Sequence, residues 1–239
     1  MRTNTLYRSR TDRIEAFVLS SQLLQTSGFK HGFSTRTTSL AEISAACGVA
    51  PDELKRVKQV HSARVLEVGA ESTDGREADA LVSRGRFAVG VRTADCVPVL
   101  VADAVSGAVA AVHAGWRGVE GRIVESAIAS LGGDPSRFIA AIGPCIMVCS
   151  FETGVDVAEK LAAVSDASVI ASRHGDGKAM VDLRRAVRIQ LERAGVPAAS
   201  VDDIARCTFC EPALFFSYRR DQANVAERAG RMISAIAPR

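Results

Sequence analysis

The sequence predicts a layered domain of mixed α/β (α+β) type. Short apolar runs alternate with segments in which apolar residues recur every three or four positions, and these are the spacings of buried strands and amphipathic helices. Several apolar runs are separated by only a few turn-forming residues, which indicates strand pairs joined by short turns. No linker, internal repeat or low-complexity tract divides the chain. We therefore expect one domain with mixed sheets.

The predicted elements follow one another along most of the chain. Residues 1–12 are polar and predict a flexible arm, so the single catalytic domain is expected at 13–239. The predicted strands are "RVLEV", "ADALVS", "FAVGVRTADCVPVLVA", "AVAAVHA" and "FIAAIGP". The predicted helices are "AEISAACG", "RIVESAIASLG", "VDVAEKLAAVS", "RRAVRIQLERAG" and "NVAERAGRMISAIA", whereas "CTFCEPALFFSYRRD" predicts a loop leading into an aromatic strand.

Composition narrows the class of protein. The chain has 239 residues, of which 47% are hydrophobic and 24% charged, as in an ordinary globular protein. A net charge of +3 is too small to indicate nucleic acid as the main ligand. No apolar run is long enough to span a bilayer, and the N-terminal segment does not resemble a secretory signal. We expect a cytoplasmic protein, a monomer or weak homodimer, whose six cysteines are thiols or metal ligands.

The stretch "TADCVPVLVADAVSGAVAAVHAGWRG" contains two apolar runs with a cysteine before the first and a histidine near the end of the second. A four-residue loop at 103–106 would place Cys96 directly opposite His113, with Cβ atoms about 4.5–5.5 Å apart. Such a pair could share one metal ion. A five-residue loop would instead place the two side chains on opposite faces of the sheet.

A third metal ligand is offered by His61, which precedes another apolar run in "KQVHSARVLEV". Two histidines and a cysteine suit Zn²⁺, and Cu²⁺ binds the same donors. Three protein ligands leave a coordination position for water, which is typical of catalytic rather than structural zinc. The alternative is that Cys96 is a small core residue and that each histidine is only hydrogen-bonded.

The segment "HAGWRG" adds groups that suit a ligand pocket. Gly115 and Gly118 allow close approach of the backbone, Trp116 offers a flat aromatic face, and Arg117 can bind an oxyanion. Asp95, next to Cys96, could accept a hydrogen bond near the metal or carry a proton. Strand alternation would turn it away from the metal face, however, so it is expected to cap a nearby backbone group, and Asp79 is interpreted in the same way.

Six motifs together resemble the laccase-domain family: "QVHSARV", "ADALVS", "TADCVPVLVAD", "AVHAGWRG", "AIGPCI" and "FFSYRRD". The resemblance runs from "HGFSTR" to "GRMISAI". It implies an α-β-β-α sandwich and a catalytic metal held by His61, Cys96 and His113. It also implies phosphorolysis of purine nucleosides (adenosine, inosine, guanosine, methylthioadenosine), with nucleoside and phosphate as partners and adenosine deamination as a second activity.

Phosphate binding requires cationic groups near the reacting sugar. The motif "HGFSTR" makes Arg36 the first candidate, and Arg117 and Arg219 are further candidates. Each arginine has the alternative of a surface ion pair. The chain departs from the family in the following segment, where "TTSL" replaces the usual glycine pair and serine, so we expect an altered pocket wall.

Other functions remain as alternatives. The family also includes proteins described as copper-dependent polyphenol oxidases and as cytoplasmic peptidoglycan-precursor editing hydrolases. Four histidines, however, are too few for a multicopper oxidase. A cytidine-deaminase site is excluded because Gly115 stands where its glutamate would be and "PCIMVC" has the wrong spacing. A non-enzymatic metal-stabilised binding module is the remaining alternative.

Four further cysteines form two close pairs. Cys145 and Cys149 lie in "CIMVC", and Cys207 and Cys210 lie in "CTFC". Together they could hold a structural zinc ion with four thiolates. The alternative is that they are free buried thiols. A redox pair in "CTFC" is disfavoured because no helix opens after it.

Overall fold

The computed structural model describes residues 18–224 and 230–239, and these residues contain thirteen strands and six α-helices. The strands are β1 (Val18–Leu19), β2 (His31–Ser34), β3 (Val65–Glu67), β4 (Ala80–Ser83), β5 (Val89–Thr93), β6 (Val97–Asp103), β7 (Val109–Ala114), β8 (Phe138–Ile142), β9 (Glu152–Gly154), β10 (Ile170–Arg173), β11 (Lys178–Val181), β12 (Val201–Asp203) and β13 (Met232–Ile236). The helices are α1 (Gln22–Thr26), α2 (Leu40–Ala46), α3 (Trp116–Glu120), α4 (Ile123–Leu131), α5 (Val155–Val164) and α6 (Leu183–Arg193). The predicted arm at 1–12 lies outside the described residues.

A six-stranded sheet of order β12-β8-β6-β7-β4-β3 carries the centre of the fold. Its middle strands β6 and β7 are buried along their whole length, as their nearly continuous apolar sequences require. Valines at 97, 99 and 101 pack toward the helices, whereas Leu100 and Ala102 pack toward the second sheet. The β6–β7 hairpin therefore forms part of two cores.

The second sheet has four strands in the order β1-β2-β13-β5. Its inner face packs against the six-stranded sheet through Phe33, Val91 and Ile236, among others. Helix α2 covers its outer face, and α4 and α6 cover the outer face of the larger sheet. This order of layers is the predicted α-β-β-α sandwich of mixed sheets, which is confirmed.

Most of the predicted elements are also confirmed. Helix α6 ends at a cap on Ala194, and Gly195 follows with φ +96°, the left-handed conformation typical of a glycine that ends a helix. A small sheet of order β10-β11-β9 packs against α5 and extends the domain beside the main layers. Among the described helices, none has the length and apolarity needed to cross a bilayer.

Two predictions near the C-terminal end are wrong. "NVAERAGRMISAIA" was expected to be one helix, but Met232–Ile236 is strand β13, paired on both sides with β2 and β5. Residues 225–229 lie outside the described part of the chain. "FFSYRRD" was expected to be an aromatic strand, but this segment forms turns in which Phe215 is buried and Tyr218 is 48% exposed.

Candidate active site

The β6–β7 hairpin brings two candidate ligands to the end of the sheet opposite its turn. The turn occupies residues 104–107, closed by the hydrogen bond from Asp103 N–H to Ala108 O (2.9 Å). The loop has the predicted four residues but begins one residue later than expected, so Pro98, not Cys96, is the partner of His113. The predicted direct pairing is wrong, but a shift of two positions keeps Cys96 and His113 on the same face and makes them diagonal neighbours.

Three ligand atoms converge at this end of the hairpin. One atom each from His61, Cys96 and His113 lies within 4.8 Å of the other two, and the His61 Nε2–Cys96 Sγ distance is 4.0 Å. The two imidazole centroids are 4.8 Å apart with the rings nearly perpendicular. His113 is buried, Cys96 is half-buried and His61 is exposed, so the cluster opens to solvent on one side.

The buried carboxylate of Asp79 fixes two of these three ligands. One of its oxygens lies 2.8 Å from His113 Nδ1 and also accepts the N–H of His61 at 3.0 Å. The other accepts the N–H (2.6 Å) and hydroxyl (2.8 Å) of Ser62. These bonds hold His61 at a positive φ of 59°, which is uncommon for a residue with a side chain. Asp79 thus caps a backbone, as predicted, and also orients His113, which was not predicted.

Asp95 has the backbone-capping role expected from the sequence. Its φ of +85° turns the chain between β5 and β6, and its carboxylate accepts hydrogen bonds from Thr208 Oγ1 (2.6 Å), Ser217 Oγ (3.0 Å) and the N–H of Arg219 (2.6 Å). Asp95 therefore connects the segment before Cys96 to the loop that carries Arg219.

The charges of the cluster depend on one another. Burial acts to raise the pKa of Cys96, but hydrogen bonding and charge from His113, with a smaller contribution from His61, bring it down to about 6. Burial acts to lower the pKa of His113, but Asp79 and Cys96 raise it to about 9. Burial likewise opposes ionisation of Asp79, whose pKa is nevertheless lowered to about 2 by His113 and Ser62. The ionised Asp79 accepts a hydrogen bond from Nδ1–H of His113. This bond directs the other ring nitrogen of His113 toward Cys96.

Space beside the cluster also fits a bound cation. A Cβ built on Gly115 would lie 3.0 Å from Cys96 Sγ and 3.1 Å from His61 Cδ2. The glycine therefore keeps a side chain out of the volume that the three ligand atoms surround. The donor set of one thiolate and two imidazoles is one that zinc prefers, so the residues present fit such an ion.

The cluster lies on the wall of a cavity of about 720 Å³. Four arginines line the same cavity: Arg92, Arg117, Arg219 and Arg231. Asp95 is the acidic residue of the lining, and its carboxylate is already engaged in the hydrogen bonds described above. The cavity is therefore suited to an anion.

Aromatic and amide groups complete the lining. Trp116, Phe151 and Tyr218 present aromatic surface, and Gln59 and Gln222 present amides. Among these lining residues the sequence pointed to Trp116, but not to Phe151, the two glutamines, Arg92 or Arg231. Gln59 stands at the start of "QVHSARV", but the others belong to none of the six motifs, and only the fold brings them to the cavity.

Of the three arginines predicted to bind phosphate, two line the cavity and one does not. Arg117 lies on the cavity with its guanidinium 4.3 Å from the Trp116 ring centroid. Arg219 also lines the cavity, and its Nη1 donates to Glu152 O at 2.8 Å. Arg36 is not part of the lining; its Nη1 donates to Pro212 O at 2.6 Å and its guanidinium lies over Phe216. A phosphate role for Arg36 stays a prediction.

The other two histidines have different environments. His31 is buried in β2, where Nε2 accepts the N–H of Ser21 at 2.8 Å. His174 is exposed and lies 3.4 Å from Glu152. Among the described residues, the metal-capable clusters are therefore the His61–Cys96–His113 group and a separate group of three cysteines.

The fold and site together define a class: α-β-β-α sandwich proteins with an open cluster of metal-capable side chains on a cationic cavity. A family model described as multi-copper polyphenol oxidoreductase laccase matches residues 36–239. The chain belongs to this family.

Curated relatives cover most of the chain. An adenosine deaminase, RL5, from an unknown prokaryotic organism is 40% identical in an alignment of 188 residues that covers 72% of this chain and 72% of the relative. A purine nucleoside phosphorylase, YfiH, from Shigella flexneri is 38% identical over 80% of this chain and 76% of its own length. Both relatives are named as enzymes of nucleoside chemistry.

Solved structures share the fold. A hypothetical protein YfiH of Bacillus licheniformis superposes with a TM-score of 0.83 at 23% identity, covering 96% of this chain and 98% of that one. A Neisseria meningitidis protein superposes with a TM-score of 0.73 at 32% identity, covering 88% and 94%.

Proposed function

We propose that this protein is a zinc-dependent purine nucleoside phosphorylase with adenosine deaminase side activity. The observation that carries the proposal is the convergence of His61, Cys96 and His113 on a cavity lined by arginines and aromatic rings. The names of the relatives at 38–40% identity support the same chemistry. The substrates expected are adenosine, inosine, guanosine and methylthioadenosine.

The metal ligands in this proposal are His61, Cys96 and His113. Zinc held there supplies a Lewis acid next to the reacting nucleoside. Cu²⁺ suits the same donors, but two converging imidazoles do not provide the ligands of a multicopper oxidase. Asp79 keeps His113 in the tautomer whose second ring nitrogen can bind the ion.

Phosphorolysis requires phosphate and ribose to meet. A phosphate oxygen forms a bond to C1′ of the ribose while the C1′–N9 bond breaks, and its electron pair leaves with the purine, which takes up a proton. The products are the free base and ribose 1-phosphate. Arg117 and Arg219 on the cavity wall would hold the phosphate dianion. The negative charge of the phosphate would in turn stabilise the positive charge that develops at C1′.

The purine requires a flat apolar contact and hydrogen-bond partners at its edge. Trp116, Phe151 and Tyr218 provide the aromatic surface, and Gln59 provides an amide. The Gln59 side chain is itself held by Arg92, since its Nε2 donates to Arg92 O (2.7 Å) and its Oε1 accepts from Arg92 N–H (2.8 Å). Adenosine deamination in the same cavity replaces the C6 amino group by oxygen from water and releases ammonia.

The test is incubation of the purified protein with adenosine, with and without phosphate. We expect adenine and ribose 1-phosphate only when phosphate is present, and a slower formation of inosine that does not need it. The variants Cys96→Ala and His113→Ala should each lose bound zinc and at least 100-fold in kcat/KM, as expected when a catalytic metal is removed (~3 kcal/mol).

Unchanged zinc content and activity in both variants would overturn the proposal. An unchanged nucleoside under all conditions would do so as well, and would favour editing of a peptidoglycan precursor by the same site. The cytoplasm is the compartment we propose, because all six cysteines have free thiols in the structure.

A further inference from the structure

A second cluster of metal-capable side chains lies away from His61 and His113. It joins Cys149, after the "PCIM" segment, to Cys207 and Cys210 of the "CTFC" loop. The two segments are held side by side by backbone hydrogen bonds: Cys145 N–H donates to Arg206 O (3.2 Å) and Thr208 N–H donates to Cys145 O (3.0 Å). The three thiols therefore meet on a fixed backbone frame.

The sulfur separations match the edges of a zinc–thiolate tetrahedron. Cys149 Sγ lies 3.7 Å from Cys207 Sγ and 3.6 Å from Cys210 Sγ. Zinc–sulfur bonds of about 2.3 Å at tetrahedral angles place neighbouring sulfurs about 3.8 Å apart. All three sulfurs lie within 4.8 Å of one another, so one ion can contact the three together.

A hydroxyl occupies the remaining side of the cluster. Ser150 Oγ lies 3.4 Å from the sulfurs of Cys149 and Cys210 and 4.0 Å from that of Cys207. An oxygen bonded to zinc at about 2.0 Å would lie about 3.5 Å from thiolates on the same ion. Ser150, or a water that it holds, is thus placed at the fourth corner.

Cys145 does not belong to the cluster. The sequence suggested a zinc site with four thiolates, and the inclusion of Cys145 in that site is wrong. Cys145 is buried, takes part in the backbone pairing with the "CTFC" loop, and contributes no sulfur to the group. The C-x-x-C spacing of Cys207 and Cys210 is the usual source of two zinc ligands in one turn, and Cys149 supplies the third from a distant segment.

We propose that Cys149, Cys207 and Cys210 bind a second zinc ion, with an oxygen ligand at Ser150. The ion joins the segment that leads to Phe151 to the loop that leads to Thr208. Phe151 lines the cavity, and Thr208 donates to Asp95 next to Cys96. The second ion therefore fixes two walls of the cavity without contacting substrate.

The test compares zinc content in reduced, dialysed protein by mass spectrometry. The wild type should hold about two zinc ions per chain, and Cys210→Ser and Cys96→Ala should each hold about one. Cys145→Ser is the matched control, and it should retain both ions. Cys210→Ser should melt at a lower temperature than the wild type. Stripping the second ion from the wild type should lower its melting temperature to a similar extent.

A second measurement does not depend on a variant that must fold. Co²⁺ titrated into metal-free wild-type protein should give thiolate-to-cobalt charge-transfer absorption from four thiolates, one in the first site and three in the second. Absorption for one thiolate only would overturn the second site.

The outcomes separate this proposal from the proposed function. One zinc ion that is lost in Cys96→Ala and kept in Cys210→Ser overturns the cysteine site and leaves the phosphorylase standing. One zinc ion that is lost in Cys210→Ser and kept in Cys96→Ala supports the cysteine site and overturns the zinc site of the proposed phosphorylase. A disulfide between two of the three cysteines, seen as a loss of two hydrogens in the mass of unreduced protein that lacks the second ion, also overturns the site.

Discussion

Asp79 is the residue on which the active-site geometry depends most. Its side chain is fully buried and accepts hydrogen bonds from His113, His61 and Ser62. Burial of a carboxylate is costly unless each oxygen is paired, and here both oxygens are paired. One side chain therefore positions two of the proposed metal ligands, His61 and His113, which come from different parts of the chain.

We expect Asp79→Asn to weaken zinc binding by about 10–100-fold, because the amide neither fixes the His113 tautomer nor supports its charge. Affinity is measured by competition with a chelator of known strength. Asp74→Asn, at an exposed loop position, is the control and should bind zinc like the wild type. Equal affinities in the two variants would refute the role of Asp79.

Gly115→Ala tests the space inside the metal cluster. The added Cβ would meet Cys96 Sγ at 3.0 Å, so we expect weaker zinc binding and a loss of activity with little change in fold. The backbone of Gly115, with φ −73° and ψ 163°, accepts alanine without strain. Gly69→Ala, where the new Cβ would have no neighbour within 4 Å, is the matched control.

The sequence could predict which three side chains converge at the site, but not all of the contacts that support them. His61, Cys96 and His113 belong to motifs, and the strand pattern limited how Cys96 and His113 could be placed. Asp79 belongs to the motif "ADALVS" and was expected to cap a backbone, but its contact with His113 depends on the pairing of β4 with β7, which the motif alone does not show. The arginines show the same limit: Arg36 belongs to a motif but lies off the cavity, whereas Arg92 belongs to none and lies on it.

At the scale of single elements, the local sequence pattern predicted a strand correctly where its pairing strand is close in sequence, and less well where that strand is distant. The β6–β7 hairpin was placed to within one residue because its turn is short. Strand β13 was mistaken for a helix because "ERAGRMISAIA" satisfies a helical spacing as well. Its strand form comes from β2 and β5, with which it pairs on both sides. Such tertiary pairing overrides local preference.

Strand β2 carries a pH-dependent contact. Burial lowers the pKa of His31, and the neutral ring accepts the Ser21 N–H and donates from Nδ1 to Phe29 O. Because the folded-state pKa lies below the unfolded value of 6.5, this contribution is complete above that value and is lost as the pH falls. We expect the free energy of unfolding to decrease between pH 7 and pH 5.5 on this account.

Urea unfolding at the two pH values measures this change, and His31→Gln should remove it. The amide oxygen can still accept a hydrogen bond but does not titrate. An identical pH dependence in wild type and variant would assign the change to other groups.

At the scale of the whole molecule, the cavity carries a local excess of positive charge although the net charge of the protein is small. The net charge is only +3, yet four arginines line this one cavity. An anion is therefore attracted to the site and not to the protein in general.

We expect Arg117→Ala and Arg219→Ala each to raise the KM for phosphate by about 10-fold or more, a loss of ~1.4 kcal/mol, with a smaller effect on the KM for nucleoside. Steady-state kinetics at fixed adenosine measure the effect. Arg173→Ala, which removes an exposed ion pair with Glu159, is the charge control. Arg36→Ala decides the sequence-based prediction, because an unchanged phosphate KM would refute it.

The position of β13 has a consequence for how the molecule assembles. Phe33 pairs with Ser234, close to the two ends of the described chain, and closing so long a loop is slow. The β6–β7 hairpin closes over four residues and pairs next with β4, which carries Asp79 beside it. During refolding, Cys96 and His113 are therefore expected to come together before the outer sheet is complete.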